Sequence, residues 1–327
     1  MAIITNTATR YGINSIAEDF SSIIYAISPT TTPFISNMSR RRKATNTIFE
    51  WQIDSLAQAA SNAQIDGDDI SSFTAITATT KLSNVTMISR KDAIIADNLN
   101  GGAVDQKGYR SLLAYEVTKR GNELKRDQEF NLVGVNVAAV SGAAGTARKT
   151  ASLSAWLTSN VSRGTGGASP TLSNGMPNAA ATDASAGNMR AFTETLLKSV
   201  IQSTWSAGGE PEFLMVGPFN KQAVSGFSGI AAQRYMAPSD SPTTIIGAAD
   251  VYMSDFGTLQ VVPNRFSRER DAYLIDPDMV ELVTLRDMRV VELAKTGDAS
   301  KRMILTEYGL QVNNEAGLGV VADLTTS

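Results

Sequence analysis

Four carboxylates lie close together in the sequence and are the first candidates for acid–base chemistry: Glu116, Glu123, Asp127 and Glu129. Catalysis by two carboxylates requires a shared pocket in which their pKa values are displaced in opposite directions. Lysines and arginines alternate with these acids, so ion pairing on the surface of a helix is the better interpretation. A carboxylate-dependent enzyme remains the weaker alternative.

A second candidate is the stretch GAAGTARKT at residues 142–150, which has the glycines and lysine of a phosphate-binding loop. In such loops a glycine directly precedes the lysine, because the backbone approaches the phosphate closely there. Arg148 occupies that position, so we predict a surface loop. The acidic stretch Asp66–Asp69 lacks the spacing of a calcium loop and predicts a solvated turn.

The sequence contains no histidine and no cysteine. This excludes Ser-His-Asp and Cys-His nucleophiles, zinc sites of the Cys/His type, and disulfides. We therefore predict no catalytic residue, no cofactor and no metal site. Stability must come from packing and from contacts with other subunits.

Composition places the chain among folded proteins without a specialised ligand. The 327 residues are 43% hydrophobic and 19% charged, which is enough for a substantial core. The net charge of −3 argues against a dedicated nucleic-acid binder. No apolar run is long enough to cross a bilayer, and the start of the chain lacks the pattern of a secretory signal.

The N-terminal part predicts an arm followed by a protruding hairpin. Prolines interrupt the first 43 residues, with a short amphipathic helix predicted at Ser15–Ile27. Phe49, Trp51 and Ile53 alternate with polar residues, which predicts a strand with one apolar face. Residues 73–97 favour a returning strand or pair of strands. Because an isolated hairpin is only marginally stable, we expect the apolar stripe to be covered by another subunit.

The remaining chain predicts an α+β fold, because helices and strands mix without regular alternation. A long amphipathic helix is predicted over residues 103–133, and a shorter one over Met189–Trp205. Residues 141–190, rich in Gly, Ser and Thr, predict a surface excursion. A strand at EFLMVG precedes a helix that begins at Pro218. From Asp250 onward strands dominate, with a hairpin around KTGDASK.

Four consecutive cations precede the apolar stripe: Arg40, Arg41, Arg42 and Lys43. Such a run could contact a phosphate backbone, pair with acidic patches on another subunit, or remain a solvated cluster. The acidity of the whole chain makes the second interpretation the favoured one. We therefore expect these four residues, together with Phe49, Trp51 and Ile53, to form contacts between subunits.

Several stretches together resemble the major capsid (major head) protein family of tailed bacteriophages. They are ISPTTTPFISNMSRRRKA, TIFEWQIDSL, YLIDPDMVEL and EYGLQVNNEAGLGVVADL. The resemblance implies the Hong Kong 97-type capsid fold. It further implies an N-terminal arm at 1–44, an E-loop at 45–100, a peripheral domain with its spine helix at 101–141, an axial domain at 142–275, and peripheral return strands at 276–327.

The function that the resemblance implies is structural. Copies of the chain would assemble as hexamers and pentamers into an icosahedral or prolate head enclosing double-stranded DNA. Portal, scaffolding and decoration proteins would be further partners, DNA would be contacted weakly and without specificity, and assembly would occur in the host cytoplasm. Because about forty residues precede the first E-loop strand, we expect a separate scaffolding protein or none. The alternative is a shell of the same fold that encloses protein cargo.

Overall fold

The computed structural model describes residues 30–67, 73, 75–100, 111–227 and 250–326. The helix predicted at Ser15–Ile27 and the predicted start of the long helix, 103–110, lie outside these ranges. The α-helices within them are α1 Pro33–Asn37, α2 Asp97–Asn100, α3 Leu112–Glu129, α4 Glu194–Ser206 and α5 Pro218–Ser225. The β-strands are β1 Arg40–Lys43, β2 Ile48–Ile53, β3 Thr80–Val85, β4 Met87–Ala96, β5 Val161–Ser162, β6 Thr171–Ser173, β7 Met176–Ala179, β8 Phe213–Val216, β9 Val251–Ser254, β10 Gly257–Pro263, β11 Ala272–Ile275, β12 Val280–Glu292, β13 Ala299–Val312 and β14 Gly319–Val321.

The first sheet contains four strands in the order β1-β12-β13-β4. β1 runs parallel to β12, whereas the other neighbours are antiparallel. β12 and β13 form the hairpin that was predicted around KTGDASK. α3 packs against β4 and β13, so the long helix covers one face of this sheet.

The second sheet contains six strands in the order β5-β14-β11-β8-β10-β9. α4 packs against β14 and β5, and it begins at Glu194 rather than at the predicted Met189. β14 comes from the end of the chain but lies between β5 and β11. β14 therefore shares a sheet with strands of residues 142–275. Both sheets pack with helices, in agreement with the predicted α+β class.

β2 and β3 form an antiparallel pair, with Ile48 opposite Val85 and Ile53 opposite Thr80. None of the described residues between these two strands belongs to a helix or a strand. The predicted return over residues 73–97 is made by two strands, β3 and β4, and the first of them begins at Thr80 rather than at residue 73. The pair is thus the base of a long extended excursion.

α3 ends in an unusual turn. Ser111 caps its start by accepting a hydrogen bond from the N–H of Ala114 at 3.3 Å. After Glu129 the chain continues as a π-helical turn over Phe130–Gly134. A Cβ at Gly134 would lie 2.3 Å from the carbonyl oxygen of Phe266, so only glycine allows this close approach.

The main core includes part of the segment that was predicted to be a surface excursion. Leu153, Trp156 and Leu157 are each only 1% exposed. They pack in one cluster with residues of β8, β11, β12 and β13. The prediction is wrong for this stretch, because residues 151–157 bury apolar side chains between polar flanks. No helix of the described chain is long and apolar enough to span a membrane.

Candidate assembly surfaces

The apolar stripe on β2 has the predicted alternation but not the predicted isolation. Phe49 is 4% exposed, whereas Trp51 and Ile53 are half-buried. The ring of Trp51 lies 5.8 Å from that of Phe49 and 5.4 Å from that of Trp156, measured between centroids. The expectation that the stripe lacks a partner in its own subunit is therefore wrong.

A glycine on a distant strand makes this packing possible. Phe49 clusters with Ala44 and Val283, and Val283 lies opposite Gly309 in the β12–β13 pair. A Cβ at Gly309 would lie 2.7 Å from Cε1 of Phe49. The missing side chain of Gly309 therefore provides the space into which the aromatic ring fits. Contact between subunits through Trp51 and Ile53, which keep part of their surface, stays a prediction.

The four cations Arg40–Lys43 form β1, at the edge of the first sheet, and all four are exposed. Arg40 lies 3.8 Å from Asp278, and Lys43 lies 3.9 Å from Asp287. Arg42 donates a hydrogen bond to Oε1 of Gln311 at 2.8 Å. Exposed ion pairs of this length contribute little to stability, so the cations remain available to a neighbouring molecule.

Among the described residues, the most exposed large apolar side chains lie in the excursion between β2 and β3. Leu56 and Ile76 are 98% and 99% exposed, and Ile65 and Phe73 are 81% and 87% exposed. None of these four residues was among the predicted contacts between subunits. The signal that could have identified them is a set of large apolar residues isolated within a polar loop, where no periodicity assigns them to a core.

Three of the four candidate carboxylates pair on the surface, as predicted. Glu116 lies 3.6 Å from Lys119, and Glu123 lies 2.8 Å from Arg120. Asp127 pairs with Lys91 of β4 at 2.9 Å, which joins the helix to the sheet. Hydrogen bonding from Arg120 lowers the pKa of Glu123 against the opposing effect of burial.

Glu129 is different from the other three, and its predicted surface position is wrong. Its side chain is fully buried. Oε1 accepts hydrogen bonds from the N–H of Phe34 at 2.7 Å and from Nδ2 of Asn264 at 2.7 Å, and Oε2 accepts one from the N–H of Ile35 at 3.0 Å. Burial raises the pKa of Glu129, whereas these three hydrogen bonds oppose the rise.

A second buried carboxylate explains the stretch that resembled a phosphate-binding loop. Glu307 on β13 is almost fully buried and accepts hydrogen bonds from Oγ1 of Thr86 at 2.9 Å and from Nε of Arg286 at 2.7 Å. Arg148 forms an ion pair with the same carboxylate. The pairing between β12 and β13 shifts register around Arg286. Arg148 therefore binds a carboxylate of its own chain.

A third buried carboxylate, Asp323, joins the end of the chain to the middle segment. Its Oδ2 accepts a hydrogen bond from the N–H of Gly164 at 3.0 Å, and Oδ1 accepts one from that of Ala184 at 2.8 Å. The backbone of Asp323 has a φ of 60°, in the left-handed region that Asp tolerates better than most residues. Arg270 lies 3.5 Å from Oδ1.

These three buried acids join parts of the chain that are distant in sequence. In each of them both oxygens already accept a hydrogen bond from a residue distant in sequence. Among the described residues no group of acids is arranged to hold a metal ion.

Comparison with known structures places the two mixed sheets, the long helix and the extended β2–β3 excursion in the Hong Kong 97-type capsid fold. The capsid asymmetric unit of Cyanophage A-1(L) matches with a TM-score of 0.65 at 12% identity, covering 99% of this chain and 100% of that one. The holo-SrpI encapsulin complex from Synechococcus elongatus matches with a TM-score of 0.52 at 10% identity, covering 95% and 94%. The fold alone therefore includes both phage capsids and a protein compartment.

Sequence comparison is more specific. The chain belongs to the SU10 major capsid protein family, whose model matches residues 3–325. The major capsid protein of Escherichia phage Phieco32 is 27% identical over 339 residues, which covers 95% of each chain. The chain is thus a phage major capsid protein, a structural component of the virion and not an enzyme, as the sequence predicted.

Proposed function

We propose that the chain forms hexamers and pentamers that close into an icosahedral or prolate head around double-stranded DNA. The observation that supports this most directly is the exposure of four large apolar side chains between β2 and β3: Leu56, Ile65, Phe73 and Ile76. Leu56 and Ile76 lie almost entirely in water although the subunit has a complete core of its own. Apolar surface of this kind marks a site of association, and a second copy of the chain is the partner that a shell supplies.

The proposal assigns a part of the capsid fold to each segment of the chain. Residues 1–44 act as the N-terminal arm, residues 45–100 as the E-loop, and residues 101–141 as the start of the peripheral domain. Residues 142–275 form the axial domain, which gathers at the five- and six-fold centres. Residues 276–327 complete the peripheral domain.

The same proposal assigns contacts between subunits to seven residues: Arg40, Arg41, Arg42, Lys43, Phe49, Trp51 and Ile53. The cations support it because all four are exposed on an edge strand. Trp51 and Ile53 support it through their half-exposed surface. The contribution of Phe49 is indirect, since its burial within the subunit fixes the position of β2.

DNA is contacted weakly in this proposal. The net charge is −3, and Arg120 on the long helix is already paired with Glu123 at 2.8 Å. Strong binding to phosphates would require a surplus of unpaired cations. Portal, scaffolding and decoration proteins are the further partners, and the host cytoplasm is the place of assembly.

Cryo-electron microscopy of particles purified from infected cells tests the proposal. We expect closed shells in which the density of each hexamer is fitted by six copies of the chain and that of each pentamer by five. We also expect layered density of packaged DNA inside the shell. Nuclease-protected DNA extracted from the same particles provides an independent measurement. Shells that contain protein cargo and no DNA would contradict the proposal and favour the compartment alternative.

A further inference from the structure

Residues 33–43 form a segment that we call the N-terminal strap, consisting of α1 and β1. The strap contacts both the long helix α3 and the first sheet. α1 rests on the end of α3, and β1 pairs with β12 at the edge of the first sheet. The contacts that hold the strap determine whether it unfolds together with the core or opens separately.

Most of the strap is held weakly. β1 pairs through only four residues, and all four are exposed cations. α1 has five residues, which is too short for a helix to be stable without tertiary contacts. The strap also contacts the body through Ser39, Arg40, Arg42 and Lys43, and these contacts are exposed or only partly buried. The buried part of the attachment is made by α1 and by Met38, which follows it.

The buried part of the strap enters a socket that is both apolar and polar. Phe34 is 2% exposed, Ile35 is 9% exposed and Met38 is 8% exposed, and all three join the main core. At the same place the N–H groups of Phe34 and Ile35 donate to Glu129. Pro33 has no N–H, so these are the first donors that α1 presents.

The body of the subunit fixes Glu129 independently of the strap. Glu129 is the last residue of α3, and the π-helical turn that follows is bound to the body by the hydrogen bond from the N–H of Arg268 to the carbonyl oxygen of Val133 at 3.1 Å. Asn264, which donates to Glu129, is itself held by a bond from its N–H to the carbonyl oxygen of Val216 at 2.9 Å. The position of the carboxylate is therefore fixed by contacts outside the strap.

Removal of the strap would leave Glu129 with one of its three donors, because two of them belong to the strap. While the strap is docked, the carboxylate is buried and depends on these donors. We propose that Glu129 is the positioning residue of the strap: it holds the strap on the body, and the strap docks and releases as one unit while β12, β13 and β4 of the first sheet and all of the second sheet stay folded. The contact with Glu129 links the position of the strap to the C-terminal end of α3.

Hydrogen–deuterium exchange of the unassembled full chain tests the role of Glu129. In Glu129→Gln one carboxylate oxygen is replaced by an NH2 group, which cannot accept a hydrogen bond from the N–H groups of the strap. Exchange of the amides of residues 34–43 should therefore accelerate about tenfold or more. Exchange of residues 304–312 on β13 should stay within about twofold of the wild type, because the body remains folded. Glu129→Asp keeps the charge at a shorter reach and should give an intermediate rate.

Glu116→Gln is the matched control, since it neutralises an acid on the solvent-facing surface of the same helix. It should leave the strap unchanged. The wild type supplies a measurement that needs no variant: in low denaturant the strap amides should exchange through a local opening, before β13 opens. Strap exchange unaffected by Glu129→Gln, or strap and β13 exchange that rise together in the variant or in denaturant, would overturn the proposal.

Discussion

Gly309 lies against the ring of Phe49 so closely that a Cβ at position 309 would be 2.7 Å from Cε1. The two residues belong to different sheets, β13 in the first and β2 in the two-stranded pair. Their contact attaches the base of the extended excursion to the body. The relationship also determines which substitutions affect folding and which affect assembly.

Gly309→Ala should destabilise the unassembled subunit by about 1–3 kcal/mol, the usual cost of overpacking a core. Chemical denaturation measures the free energy of unfolding. Gly121→Ala on α3 is the control, because a Cβ there would meet no atom within 4 Å. That control should be neutral or stabilise the chain by up to about 1 kcal/mol. Equal stability of Gly309→Ala and wild type would contradict the packing described.

Phe49→Ala should lower the free energy of unfolding of the unassembled subunit by about 3–5 kcal/mol, because it removes a buried ring. Circular dichroism on heating measures the loss, and electron micrographs of the same sample record shells. A variant that melts like the wild type but forms no shells would instead show that Phe49 acts between subunits.

Leu56→Ser combined with Ile76→Ser should leave subunit stability within about 0.5 kcal/mol of the wild type, because both side chains are exposed. Shell yield should fall, since the contact surface loses apolar area that contributes roughly 25 cal/mol per Å². Sedimentation separates shells from free subunits. Unchanged yield and unchanged shell stability would refute an assembly role for this surface.

Arg41→Glu combined with Arg42→Glu should reduce the yield of empty shells in the absence of DNA. The reason is that the cations are expected to pair with acids of a neighbouring subunit, and a reversed charge repels them. Yield is measured by sedimentation after expression without packaging proteins. Normal empty shells with poor DNA retention would show that the cations contact the genome.

Arg148→Met should destabilise the subunit by about 1–3 kcal/mol, because Glu307 is buried and loses one of its charged donors. Lys149→Met is the control, since Lys149 is exposed at the next position. Thermal unfolding of the two variants gives the comparison. Equal melting of both would show that the ion pair with Glu307 adds nothing.

Elements with a strong local pattern were predictable from the sequence. The alternation of Phe49, Trp51 and Ile53 identified β2, and Pro218 marked the start of α5. The resemblance in many short stretches predicted the capsid fold and the structural function. These predictions succeeded because periodicity, helix starts and turns depend on residues close together in the chain.

Contacts between distant residues were not predictable in the same way. Glu129 has the sequence neighbours of a surface residue, but its partner Phe34 is 95 positions away. The space for Phe49 depends on Gly309, and nothing near Phe49 in the sequence indicates a glycine on β13. Which helix face is buried, and which strand lies beneath an aromatic ring, follow from the tertiary arrangement.

The outer edge of β1 has a consequence for copies of the chain that have not yet joined a shell. Among the described strands, β1 has a neighbour on one side only. An unpaired strand edge is a template on which another extended chain can add, and this is a common start of fibrous aggregation. Four positive side chains in succession repel a second copy of the same strand. A shell needs many copies of this chain, so free subunits meet often. The positive charges on β1 disfavour edge-to-edge pairing between free subunits outside the shell.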